Sequence, residues 1–271
     1  MRPPLDPFAP RLLWRVAAAI FWVSVLFMLA PGIDRWVSRQ LSSPETGFFW
    51  ADLGVWRLVR DLVVISVAAV AVAALATLAA RLLWPRRRGI MRVGTALYLV
   101  ASLALVPGLL VNGVLKDNWG RPRPIHLAEF RDPPALAPDL EFQPVWVMSD
   151  QCPANCSFVS GEASAAMVLV ALVPLVAPRR RRAALAAALA WGGLVSAVRV
   201  IQGGHFLSDV VLAGLLTYLA VGLLHRWLRS HPPNWLEERA LVRRVAALHT
   251  FLTRHGRGST EGREDRSVSS G

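Results

Sequence analysis

Six stretches of the chain are apolar over about the length a helix needs to cross a hydrocarbon core, roughly 20 residues. They cover residues 12–31, 58–84, 93–115, 159–178, 183–202 and 207–228. Within a bilayer, each backbone amide and carbonyl must find its partner inside the protein, which restricts such runs to helices. The reading is an all-α, polytopic membrane protein. The second run is over-long and is expected to tilt or to extend past the bilayer. The fifth is alanine-rich and the least hydrophobic, and its alanines and glycines suit close helix packing. Composition agrees: hydrophobic residues are 54% and charged residues 18% of the chain, and the apolar excess is gathered into runs. The first run is long for a signal segment and no clear cleavage site follows it, so it reads as an uncleaved first span.

The formal charge of +12 raises the possibility of nucleic-acid binding. The arginines are distributed otherwise, in short clusters beside apolar runs, and that is a topology signal. Arg2, Arg11 and Arg15 precede or open span one. Arg86, Arg87, Arg88 and Arg92 lie between spans two and three, and Arg179–Arg182 between spans four and five. Arg226, Arg229, Arg239, Arg243 and Arg244 end or follow span six. With six spans all four regions share one side, which the positive-inside rule makes the cytoplasm, with both termini. The external side receives residues 32–57, the proline-rich loop 116–158 and the turn Gly203–His205. Beyond the membrane domain (1–231), Trp235–Leu252 has apolar residues at helical spacing. A segment 232–255 therefore reads as a helix on the membrane surface or packed on the bundle, and 256–271 as a disordered tail.

The external ends of consecutive spans collect a chemically specific set. Span three ends at Lys116, followed by Arg121 and Arg123. Span four opens with Ser160-Gly161-Glu162. Span five ends through Arg199, and span six opens with His205 and Asp209. The arginines are forked donors suited to phosphate oxygens. A helix opening at Ser160-Gly161 offers free amides and a positive dipole end to an anion. His205 and Asp209, four apart, can meet on one helix face. A carboxylate beside an imidazole fixes its tautomer and steadies the cation that forms, so His205 can act as a nucleophile on phosphorus.

More ordinary roles fit other residues. Arg121 is a span-end anchor or an auxiliary phosphate contact, and Trp119 an interfacial belt residue. Asp52, Arg57, Arg60 and Asp61 read as helix-end ion pairs. Asp117 can pair with a neighbouring arginine. His126, His225, His231, His249 and His255 read as surface residues. Cys152 and Cys156 share one polar loop; they are too few for a zinc site, and they form a disulfide if the loop faces an oxidising compartment or stay as free thiols.

Lys116-x6-Arg123-Pro124, then Ser160-Gly161, then Arg199-x5-His205-x3-Asp209, resembles the three-part signature of the type 2 phosphatidic acid phosphatase superfamily, over residues 93–228. The resemblance implies a six-helix bundle and metal-independent hydrolysis through a phosphohistidine. It casts His205 as the nucleophile and Asp209 as its orienting partner. Lys116, Arg123 and Arg199 would hold phosphate, with Ser160 and Gly161 assisting. One position departs: the family's second part ends in a histidine that protonates the leaving group, and here Glu162 stands there. Either Glu162 is the acid, if burial favours its protonated form against the nearby cations, or the chain is an impaired member that binds phosphorylated lipid.

The stretches Cys156–Ser164 and Gly204–Asp209 are similar to a bacterial subgroup that includes lipid A 4'-phosphatases. That similarity would place the site on the periplasmic face of the inner membrane and favours a Cys152–Cys156 disulfide. Undecaprenyl pyrophosphate, phosphatidylglycerol phosphate and phosphatidic acid are the competing substrates. The expected partners are the membrane and a phosphorylated lipid, with no nucleic acid, no obligatory protein partner, no cofactor and no metal. A transporter fits less well, because its charges would line a path near the midplane.

Overall fold

The structure is a computed structural model that describes residues 5–43, 45–84, 90–116, 118–130 and 140–230, together with Arg243 and Ala247. Arg86–Arg88, Asp117, the tail 256–271 and almost all of the segment 232–255 lie outside the described residues.

The described chain is mostly helical. Helix α1 spans Pro10–Leu29, with proline in its first turn, where a missing amide costs nothing. A short helix α2, Gly32–Gln40, follows. A two-residue antiparallel ladder pairs β1 (Ser42–Ser43) with β2 (Gly47–Phe48). Helix α3 runs Gly54–Leu83 and α4 Val93–Lys116; α5 is the shorter Gly161–Leu175. Then come α6, Arg181–Ile201, and α7, Leu207–Ser230.

Five of these helices are long and apolar enough to cross a membrane: α1, α3, α4, α6 with the turn before it, and α7. The fourth apolar run is the exception. Only Gly161–Leu175 is helical, and from Val168 it winds as a 3-10 helix containing Pro174. The structure thus gives five helices of spanning length and one shorter apolar helix where six full spans were expected. The 30 residues of α3 exceed what a span requires, as its long apolar run suggested. Pro107, which has no amide to donate, lies in the part of α4 that opens into a π-helix over Ala104–Lys116.

The chain divides into two compact units. The first comprises residues 1–69 and 101–226, and the second residues 70–100 and 227–271. In the second, Ala74, Thr77, Val93, Ala96, Tyr98 and Leu99 are buried. The first unit holds the site. Its main core joins Phe27 of α1, Val111 and Leu115 of α4, Ala163 of α5, Val200 of α6, and Val210, Leu212 and Ala213 of α7. Phe158 and Val159, just before α5, belong to the same cluster. This packing brings together the end of α4, the start of α5, the end of α6 and the start of α7, the four places where the chemistry-bearing residues lie.

The segment 32–57, assigned by its sequence to the external side, carries α2 and the small ladder. Helix α2 is held to the loop after α4 by Glu129, which accepts hydrogen bonds from Arg35 (2.8–3.1 Å) and Arg39 (3.0 Å). The Glu129 carboxylate raises the Arg35 pKa. Trp119, expected as an interfacial belt residue, packs against the protein's own rings. It is half-buried against Trp146 and Phe158 in edge-on and tilted ring contacts, because the loop after α4 folds back over the core.

Candidate active site

His205 lies in the short connection between α6 and α7 and is almost fully buried. Its Nδ1 is 2.8 Å from the backbone carbonyl oxygen of Ser157. A carbonyl only accepts, so Nδ1 carries the proton and donates it, which leaves the Nε2 lone pair free. The tautomer is thus fixed by Ser157, a residue the sequence reading did not single out. Asp209 stands farther away, with Oδ2 3.9 Å from Nδ1. Burial pushes the His205 pKa well below the usual histidine value. The cations of Arg199, Arg123 and Lys116 push the same way, and the Ser157 carbonyl opposes them. The imidazole is therefore held neutral, the state a nucleophile needs.

Asp209 has its own set of donors. It accepts from Ser157 Oγ at 2.5 Å, from the Phe206 amide at 2.9 Å, and from Arg121 in a short ion pair. Arg121 is 0% exposed. Its Nη2 donates to Asp34 Oδ2 (2.9 Å), its Nη1 to Ser208 Oγ (2.9 Å) and its Nε to the Gln143 carbonyl (2.7 Å). Asp34, from α2, also accepts from the Ser208 amide at 2.9 Å and from the Ser208 hydroxyl, and so caps the start of α7 from a distant segment. This corrects one expectation. Arg121 is neither a snorkelling anchor nor a phosphate contact, because two buried carboxylates and a carbonyl consume its donors away from solvent.

Arg123 is near enough to His205 for its charge to act on the imidazole. Its Nε and Nη2 donate to the Asn155 carbonyl (3.0 and 2.9 Å), and Nη2 also to Asn155 Oδ1 (2.8 Å). Asn155 has a left-handed backbone, φ 55°, a conformation asparagine tolerates. It lies between Cys152 and Cys156, which are joined by a disulfide. These acceptors are neutral, so they orient the charge of Arg123 without pairing with it. Burial and the nearby Arg199 lower the Arg123 pKa, and Glu162 opposes that shift.

Arg199, at the end of α6, donates through Nη1 to Gln202 Oε1 at 2.7 Å. Its guanidinium packs against the backbone of Gly204, next to His205 in the chain: a Cβ there would sit 2.4 Å from Arg199 Nη2, so a larger residue would push the guanidinium aside. Glu162 approaches Arg199 Nε at 3.1 Å and Arg60 Nε, from α3, at 3.6 Å. The expected acid is therefore found as an ion-pair partner of two arginines. Arg60, expected to form a helix-end pair, belongs instead to the rim of the site.

Ser160 caps α5, its Oγ accepting from the Ala163 amide at 3.3 Å. Gly161 is constrained by packing: a Cβ there would be 2.5 Å from Asn112 Oδ1 on α4. Lys116 is half-buried at the end of α4 and close enough to act on His205. Among the described residues, no group of three His, Cys, Asp or Glu side chains forms a metal cluster.

A neutral, tautomer-fixed histidine, a supporting carboxylate and several arginines meet at one end of an apolar helical unit. The chain belongs to the PAP2 superfamily, which residues 95–232 match, about half of the chain. It is 44% identical to a lipid A 4'-phosphatase of Francisella tularensis subsp. novicida (strain U112) over 130 residues, 47% of this chain and 55% of that protein. It is 44% identical to a lipid A 4'-phosphatase of Rhizobium leguminosarum over 123 residues, 45% of this chain and 49% of that protein. A third lipid A 4'-phosphatase, from Rhizobium etli, is 39% identical over 122 residues, 45% of each chain. The chain thus spans about half the length of the curated relatives it matches. No solved structure matches it.

Proposed function

We propose that this protein is a membrane lipid phosphatase that hydrolyses a phosphate monoester, with the 4'-phosphate of lipid A the favoured substrate. The observation that carries the reaction is the His205 arrangement: Nδ1–H donated to the Ser157 carbonyl, with Nε2 left as a free nucleophile among cations. The substrate preference rests on what the three relatives are named for.

In this reading Lys116, Arg123 and Arg199 hold the phosphate oxygens. His205 Nε2 attacks phosphorus, an N–P bond forms, and the P–O bond to the lipid breaks. The departing oxygen takes a proton from water, since Glu162 is engaged with Arg199 and Arg60. The phosphorylated imidazole carries a positive charge, which Asp209 near Nδ1 offsets. The cations neutralise the charge that develops on the phosphoryl oxygens. Water then attacks the phosphohistidine and restores the neutral ring. No step uses a metal.

The remaining placement follows the same proposal. The sixth span is α5 with its 3-10 extension, whose higher rise brings Gly161–Leu175 to about 26 Å, near the thickness of a hydrocarbon core. The site faces the periplasm from the inner membrane, and both termini are cytoplasmic.

The test is phosphate release from lipid A by the full chain in detergent, with and without chelator. Release that survives chelator and drops by a factor of about 10⁴ or more in His205→Ala is the expected result. Full turnover by His205→Ala would remove the nucleophile assignment, and loss with chelator the metal-free one. Mass spectra of lipid A and total lipids from cells with and without the gene settle the substrate. The expected difference is one phosphate on lipid A; the same difference on an undecaprenyl or phosphatidylglycerol lipid would reassign it.

A further inference from the structure

Glu162 stands between two arginines at the site. Its two oxygens face two different guanidinium groups, Oε2 at 3.1 Å from Arg199 Nε and Oε1 at 3.6 Å from Arg60 Nε. Arg199 is held by Gln202 and packs against Gly204, and its charge acts on His205. Yet the buried Arg199 Nε has no aligned hydrogen bond among the described residues. The carboxylate neutralises the arginine by proximity without satisfying its N–H. A phosphate oxygen placed along that N–H would gain a charge-assisted bond that Glu162 leaves unmade.

The two partners of Glu162 differ in freedom. Arg199 is nearly buried, whereas the Arg60 side chain is 60% exposed and Glu162 is 32% exposed. Both Glu162 and Arg60 have solvent on one flank into which they can turn. Arg60 is also close enough to act electrostatically on Arg123 and Arg199. It therefore belongs to the same cationic field as the phosphate-holding residues, although α3 contributes nothing to the three-part sequence pattern.

We infer that Glu162 is a resident counter-anion occupying the phosphate seat between Arg199 and Arg60, and that Arg60 is a further phosphate-binding residue once the substrate has displaced it. The inference rests on the phosphate-cage reading proposed above. Its consequence is selectivity by competition. A dianionic phosphate monoester displaces the carboxylate, while weaker anions do not. Inorganic phosphate, the second product, leaves readily because Glu162 returns to its place.

The probe is inorganic phosphate, binding the full-length protein in detergent, followed by ³¹P line broadening and as a competitive inhibitor of lipid phosphate release. Glu162→Gln keeps size and removes charge, and phosphate is expected to bind roughly tenfold tighter to it. Glu162→Ala serves as a second variant and should shift the same way. In the Glu162→Gln background, Arg60→Ala should weaken phosphate binding by about the same factor. Unchanged phosphate affinity in both Glu162 variants, with a collapse of kcat, would show an acid and overturn the counter-anion. An Arg60→Ala effect that vanishes once Glu162 is neutral would make Arg60 only the partner of Glu162 and overturn its phosphate role. Arg123→Ala separates this inference from its foundation. If it weakens phosphate binding while the Glu162 variants do nothing, the cage stands and the counter-anion falls. If the parent chain shows no saturable phosphate binding, both fall.

Discussion

The arginines near His205 have opposite surroundings: Arg121 is sealed by carboxylates, whereas Arg123 meets neutral groups and Arg199 shares one carboxylate with Arg60. Arg121 lies between Asp34 and Asp209, and hydroxyls and backbone groups complete the network. Its charge is spent inside the protein. Arg123 is oriented by the neutral groups of Asn155, and Arg199 and Arg60 share one displaceable carboxylate. Their charge remains available to a ligand. Sequence proximity says nothing of this: Arg121 and Arg123 are two apart, yet one is buried among carboxylates and the other meets neutral groups, as its proposed phosphate role requires. A buried arginine needs carboxylate partners to offset its desolvation, while a binding arginine is most effective when held by partners that do not cancel it.

The widest separation of the two surroundings should come from removing each arginine. Arg121→Met leaves two carboxylates buried without their cation, and stability should fall by about 3–5 kcal/mol. Arg123→Met should leave thermal unfolding in detergent near that of the parent and lower kcat/KM by roughly 10²-fold. Unfolding curves and kinetics on the two variants side by side make the check. An Arg121→Met protein as stable as the parent but with a raised KM would erase the contrast and put Arg121 back in contact with substrate.

A second prediction concerns His205 itself. The pKa of His205 lies below the ordinary histidine value of 6.5, through burial and three neighbouring cations. The neutral form is therefore favoured in the folded protein. The acid limb of kcat/KM should fall well below pH 6.5. Conversely, as pH drops from that value towards the lowered one, the unfolded chain takes up a proton that the folded one does not, and the stability contributed by this residue is lost. Neutralising Arg123 removes one of the cations, so its variants should move the limb upward. A limb at the ordinary histidine value in the parent chain would mean that the cations do not surround the imidazole as described.

How much of this was legible in the sequence depended on how local the signal was. The spans were readable because apolar runs must be helical in a bilayer, and five appear at their expected places. The fourth run fell short because Pro174 and the 3-10 winding end it early. His205, Asp209, Lys116, Arg123 and Arg199 could be named because the external ends of consecutive spans collect them and their spacing is distinctive. Asp34 could not: it is a single acidic residue in a segment with no pattern, and its partner Arg121 lies 87 positions away. The backbone carbonyl of Ser157 carries no side-chain signature at all. Arg60 looked like any charged residue at a helix start. The role of Arg121 was misread because spacing shows that an arginine is near a site, and only burial shows which way its charge is directed.

The smallest expected effect tests whether the open setting of Arg123 is itself pre-organised. Asn155 reaches Arg123 from a left-handed backbone inside the short loop closed by Cys152 and Cys156. Opening that ring frees the loop to leave this conformation, and Arg123 then loses acceptors that aim it while keeping its charge. Reduction, or Cys152→Ser with Cys156→Ser, should raise KM roughly 3- to 10-fold, the scale of one or two hydrogen bonds to a charged group. The value of kcat should stay nearly constant, because His205 and its Ser157 contact lie outside the ring. Asn155→Ala should give a similar rise, and combining it with the cysteine changes should add little, since both act through the same contact. Additive effects, or a loss of thermal stability with KM unchanged, would mean that the disulfide supports the fold generally and that Arg123 needs no aiming. The contrast between a sealed arginine and an open one would then reduce to burial alone.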